Sequence, residues 1–144
     1  MSRSGRFFLD TNIIVYALDD REPEKRNRSR ELLRDALSSR RGVISYQVVQ
    51  EFLHVALHKF ARPMPVEEAM SFFGSFLEPI WRIHSSPELT RSALDLRERW
   101  QLPFSDALIV AAALAGGCRR IYSEDFQNGL KIRDLVIENP YLAE

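Results

Sequence analysis

Phe7-Phe8-Leu9-Asp10-Thr11-Asn12-Ile13-Ile14-Val15-Tyr16-Ala17 is the stretch on which the fold turns. Its first three residues form a short apolar run suited to a buried strand. The polar Asp10-Thr11-Asn12 that follows favours turns and helix N-caps over continued strand. A helix is therefore predicted directly after the first strand, with a carboxylate at the junction. In open parallel sheets, ligands bind in the crevice beyond the carboxyl ends of the strands, so Asp10 stands where chemistry is expected.

Working outward, strand and helix signals alternate. Residues 24–38 carry Leu32, Leu33, Ala36 and Leu37 at helical spacing, which predicts an amphipathic helix with a basic outer face. Val43-Ile44 reads as a second strand, and Ser45 as the N-cap of a helix with Val48, Val49, Phe52 and Ala56 on its apolar stripe. Val66, Ala69, Met70, Phe73, Phe76 and Leu77 predict a further helix, and residues 80–84 a third strand. Ser86-Pro87 combines an N-cap with a first-turn proline. Ser105 is read as the cap of the nearly all-apolar 106–115 helix, which Gly116-Gly117 closes. Strands follow at 120–123 and 135–137. This alternation predicts α/β architecture: a three-layer α/β/α sandwich around a central, mostly parallel sheet.

Length and composition agree with one domain over residues 1–144. The 144 residues are 45% hydrophobic and 28% charged, as in an ordinary globular chain. The longest apolar run, 107–115, is far short of the ~20 residues a membrane span needs, and no signal-peptide h-region is seen, so a cytoplasmic protein without membrane contact is expected. The lone Cys118 cannot form an internal disulfide and fits a reducing compartment. Twenty Lys+Arg balance twenty Asp+Glu, which excludes the global basicity of many nucleic-acid binders. Residues 21–41 are nonetheless locally basic, either a basic face beside an acidic site or a solvated face laced with ion pairs.

Four acids fall at the expected edge. Asp10 ends the first strand and Asp125 follows the 120–123 strand. Asp106 lies in the first turn of the buried helix, where the helix dipole favours a carboxylate. Glu51 sits among Val48, Val49, Phe52 and Leu53, and is expected to be shielded from water. Any one of these alone is explained as a cap or first-turn acid. Together they call for a cation, and oxygen ligands with no Cys and no required His select Mg²⁺ or Mn²⁺ over zinc. Such an ion activates water and neutralises an attacked phosphate, which suits phosphodiester hydrolysis in a chain with no Ser-His-Asp or Cys-His arrangement.

The chain resembles the PIN-domain nucleases, and among them the VapC-type toxins of toxin–antitoxin pairs. The segments that carry the likeness are 8–17, 45–52 with Glu51, Pro103-Phe104-Ser105-Asp106-Ala107-Leu108-Ile109, Tyr122-Ser123-Glu124-Asp125-Phe126-Gln127-Asn128-Gly129, and Asn139-Pro140. The resemblance implies a metal-dependent endoribonuclease with Asp10, Glu51, Asp106 and Asp125 as catalytic and metal-binding acids. Thr11, Asn12 and Ser123 would support them. It also implies RNA as substrate, a homodimer, and silencing by a cognate VapB-type antitoxin. Glu124 and Asp125 are adjacent, and the register of their turn decides which faces the metal; Asp125 is assigned.

Other readings stay open at this level. Glu51, His54 and His58 share a helical face that would suit a transition metal. Trp81, Trp100, Phe72, Phe73 and Phe76 are placed in the core or at a dimer contact rather than as base-stacking platforms. A non-catalytic RNA- or protein-binding module on the same scaffold is the alternative to the enzyme. A phosphoryl-accepting signalling domain would also gather acids at strand ends, but the Lys that clamps a phosphoryl group is not found after a late strand.

Overall fold

The computed structural model describes residues 5–142, so the outermost residues of the expected 1–144 domain lie outside the described residues. The elements run β1 (Arg6–Leu9), α1 (Thr11–Ala17), α2 (Pro23–Ser39), β2 (Gly42–Ser45), α3 (Tyr46–His58), α4 (Val66–Phe72), β3 (Trp81–Ile83), α5 (Pro87–Trp100), α6 (Phe104–Ala115), β4 (Cys118–Tyr122), β5 (Lys131–Ile132) and β6 (Leu135–Glu138). The sheet order is β3-β2-β1-β4-β6-β5. Every pairing is parallel except β5 with β6.

β1 lies in the middle, flanked by β2 and β4. Phe8 and Leu9 in β1, Val43 and Ile44 in β2 and Ile121 in β4 are completely buried. A parallel strand covered on both faces needs a continuous apolar run rather than alternation, and β1 and β2 have one, while β4 keeps Arg119 and Arg120 before its buried Ile121-Tyr122 end. α1 packs against α2 and α3, while α5 and α6 pair and α6 lies on β2 and β4. Gly42 marks a close approach of α2 to the sheet: a Cβ there would stand 2.2 Å from the Ala36 Cβ.

Local capping explains most boundaries. The Ser45 hydroxyl accepts from the Val48 N–H at 3.4 Å and Ser86 from the Leu89 N–H at 3.1 Å, as predicted. The expectation for Ser105 is corrected: α6 begins at Phe104, with Pro103 as its extended N-cap and no side-chain capping bond. Pro103 is pre-set near the φ an N-cap tolerates, and its carbonyl accepts the first helical bond from Ala107. Ser105 is thereby drawn inside the helix, with Asp106 still in the first turn.

The helix predicted through residue 77 also ends early. After α4, residues Phe73–Leu77 widen into a π turn and Glu78–Ile80 tighten into a 3₁₀ turn before β3. Gly74 weakens the helix interior and Pro79 lacks the N–H that would continue it. β5 escaped the sequence because its hairpin turns at Arg133, a residue with φ of 57°, without an Asn-Gly or Asp-Gly signal.

Candidate active site

The carboxyl ends of β1, β2 and β4 open onto one edge of the sheet, and Asp10, Glu51, Asp106 and Asp125 lie there close enough to feel one another's charge. Asp10 follows β1 and serves as the N-cap of α1, its Oδ1 accepting from the Thr11 N–H at 2.7 Å. Its Oδ2 accepts from the Ser123 hydroxyl at 2.6 Å. Ser123 is wholly buried just past β4, and its Oγ in turn accepts from the Asp125 N–H at 3.1 Å. One hydroxyl therefore fixes Asp10 and the turn that carries Asp125.

Glu51 approaches from α3. Thr11 donates its hydroxyl to Glu51 Oε1 at 2.7 Å, and Gln47 donates to Oε2 at 3.2 Å. Contrary to the sequence expectation, Glu51 is exposed to solvent. Its apolar sequence neighbours Val48, Val49 and Phe52 point into the core, and the 100° step of the helix puts position 51 on the opposite, wet face. Gln47 also donates to the carbonyl of Ser105 at 3.2 Å, tying α3 to the start of α6 beside Asp106. Sequence reasoning passed over Gln47, although its i, i+4 spacing to Glu51 was a usable signal.

The adjacent acids at 124 and 125 part company. Glu124 accepts from Lys25 Nζ at 2.5 Å and from the Tyr16 hydroxyl at 2.7 Å. Lys25 also lies over the rings of Tyr16 and Tyr141. Burial works against ionisation of Glu124, but the bonds from Lys25 and Tyr16 outweigh it and hold the carboxyl below its ordinary range. Asp125, by contrast, shares a hydrogen bond with the Asn12 side chain and feels the charge of Glu51. No sequence signal could have paired Lys25 with Glu124, which are 99 positions apart.

The electrostatics are those of acids crowded without compensation. Burial pushes Asp10 up from 3.8 to about 6; the bonds from Ser123 and Thr11 hold it down only in part, and the charges of Asp125 and Glu51 add to the rise. Asp106 is raised by burial and then by Asp125 and Glu51. Asp125 is raised by burial, then by Glu124 and Glu51. Acids that destabilise one another's charged forms in this way make this sheet edge the candidate functional site.

The donor chemistry suits a hard divalent cation: every group is an oxygen, two acids are partly screened from water, and Asp10 is buried. The carbonyl oxygen of the Asn12 side chain is buried with no hydrogen-bond partner, an atom that an ion or its water would satisfy. Among the described residues, no three His, Cys, Asp or Glu side chains already form a coordination shell; Thr11 and Gln47 hold Glu51, and Asn12 holds Asp125. On the outer side of α3 the imidazoles of His54 and His58 lie with centroids 5.2 Å apart, tilted at 49°.

The basic face is largely engaged within the chain. Lys25 holds Glu124, Arg26 pairs with Asp20, Arg28 with Glu31, and Arg30 donates to the Ala17 carbonyl. Phe72, Phe73 and Trp81 pack against the core as expected, while Phe76 and Trp100 stay partly exposed. No helix among the described residues is long and apolar enough to cross a membrane.

Comparison with known proteins agrees with this fold. The PIN domain family matches residues 7–128. A toxin–antitoxin complex from Klebsiella pneumoniae superposes with a TM-score of 0.68 at 18% identity, covering 96% of this chain and 98% of that one. VapBC2 from Rickettsia felis, bound to a DNA fragment from its promoter, gives 0.60 at 24% identity over 92% and 96% of the two chains. VapC20 of Mycobacterium tuberculosis, a sarcin–ricin loop cleaving toxin, gives 0.56 at 18% identity over 83% and 89%. At these identities the structural likeness is one of fold. No curated protein matches the chain by sequence.

Proposed function

Because the chain belongs to the PIN-domain family, we propose that it is a cytoplasmic, Mg²⁺- or Mn²⁺-dependent endoribonuclease, the toxin of a toxin–antitoxin pair. The observation that carries this reading is the convergence of Asp10, Glu51, Asp106 and Asp125 on one sheet edge, where each of the three aspartates is raised by burial and by neighbouring acids. The toxin role extends to this chain what the Klebsiella and Mycobacterium proteins are named for. A VapB-type antitoxin is its partner. The exposed apolar residues Val66, Met70 and Phe76 support a second copy of the chain on that face.

The four carboxylates would hold the ion, and the chemistry it would supply there is charge neutralisation at the attacked phosphate and activation of a water. Ser123 aims Asp10 through the 2.6 Å bond to Oδ2, and Thr11 and Gln47 aim Glu51. Asp125 is the ligand rather than Glu124, because Lys25 and Tyr16 already neutralise and anchor Glu124. Hydrolysis proceeds without a covalent enzyme intermediate, since no nucleophilic side chain is required.

The test is Asp106→Asn. RNA cleavage in Mg²⁺ or Mn²⁺ should fall by at least about a hundredfold, with circular dichroism unchanged, since losing one of the acids that aim a catalytic ion costs orders of magnitude. Full cleavage by a purified Asp106→Asn protein would overturn the assignment.

A further inference from the structure

Beside Glu51 lies a concavity that the chemistry above does not use. It occupies about 220 Å³ between the start of α3, the segment after β3, and the packed pair α5 and α6. Ile83, Leu89, Leu108 and Ala112 supply its apolar lining. Tyr46, Gln50, His84, Ser85 and Thr90 supply polar groups. Gln47 belongs to both places: it lines this cavity and donates to Glu51 and to the Ser105 carbonyl.

We propose that this cavity binds one unstacked nucleobase of the RNA, from a nucleotide flanking the phosphate held at the acids, and so sets where the RNA is cut. The inference rests on the ribonuclease reading for its substrate, but on its own geometry for the site. Three features select a base. The volume is below the ~300–1,000 Å³ of pockets for drug-sized ligands, and suits a single planar heterocycle. The lining contains no Asp, Glu, Lys or Arg, so the site suits an uncharged group that both donates and accepts hydrogen bonds, as a base edge does, rather than a phosphate. Finally, Tyr46 is 38% exposed, with its ring 6.1 Å from Trp81 at 30°, and the His84 ring lies 5.1 Å from Trp81. Tyr46 and His84 are exposed lining residues braced against Trp81 behind them, and can stack on an incoming base; single-stranded RNA is read by such stacking and by bonds to splayed base edges.

The amide of Gln50 and the imidazole of His84 are the groups placed to read that edge. Both residues are exposed, so their truncation leaves the core intact. Cleavage of a randomised RNA pool, with sequencing of the cut ends, should show a base preference at one flanking position. Gln50→Ala and His84→Ala should each reduce that preference about tenfold, the usual effect of removing one base-edge contact. A second readout does not depend on cleavage. In an Asp106→Asn, Trp100→Phe background with chelator present, nucleoside 5′-monophosphates should change Trp81 fluorescence saturably, one base binding more tightly than the others. Gln50→Ala should abolish that selectivity.

If the unaltered protein leaves RNA intact yet binds nucleotides selectively, the ribonuclease reading falls and the base site stands. If RNA is cut in an Asp106-dependent way but both variants keep the original cut-site distribution, the base site is overturned and the ribonuclease reading stands.

Discussion

Asp10→Asn should make the metal-free protein more stable, although it removes a proposed ligand. Asp10 is 5% exposed and its carboxyl is raised from 3.8 to about 6, chiefly by burial. The raised value means that the folded state favours the neutral acid. The corresponding stability is complete below about pH 4, where Asp10 is neutral in both states, and is lost as pH climbs through about 6. A tenfold change in proton affinity corresponds to about 1.4 kcal/mol, so ionised Asp10 costs the metal-free fold about 3 kcal/mol near pH 7.5. Asparagine keeps the bond from the Thr11 N–H but leaves the Ser123 hydroxyl proton without its acceptor, a loss of about 1 kcal/mol. The net gain is about 2 kcal/mol, or about 4–8 °C in Tm for a chain of this size. Thermal unfolding in chelator at pH 7.5 and at pH 4 measures it. The gain should vanish or reverse at the lower pH, and added Mg²⁺ should raise the Tm of the unaltered protein alone. A destabilised Asp10→Asn in chelator at pH 7.5, or a difference independent of pH, would refute the reasoning.

Three further outcomes are expected. Asp125→Asn should lose RNA cleavage while Glu124→Gln retains most of it, because Glu124 is spent on Lys25 and Tyr16; equal losses in the two would reverse the assignment. Ser123→Ala should weaken Mg²⁺ binding about 10- to 100-fold, as loss of a group that orients a metal ligand does; calorimetric titration reads it, and unchanged affinity counts against the role of the 2.6 Å bond. Gly42→Ala should cost about 3 kcal/mol in urea unfolding, since its methyl meets the Ala36 Cβ at 2.2 Å and the Ala36 Cα at 2.7 Å and α2 must shift off β2. A loss below about 1 kcal/mol would mean that α2 yields easily.

What the sequence determined by itself was the alternation of elements and the placement of Asp10, Asp106 and Asp125 at strand or helix ends, because strand runs, caps and helical stripes are local signals. Phe7-Phe8-Leu9 followed by Asp-Thr-Asn was enough to put a carboxylate at the junction of β1 and α1. Glu51 shows the limit of that logic: apolar neighbours in sequence suggested shielding, yet the helix turned the side chain to solvent and left it to Thr11 and Gln47. The start of α6 at Phe104 and the hairpin at Arg133 depended on backbone conformations with weak sequence signatures. The choice between Glu124 and Asp125 as the acid beside the others was tertiary throughout. It depends on Lys25 and Tyr16, brought in by α2 and α1 from about a hundred positions away, and no local pattern records a charge pairing made only when the sheet has assembled.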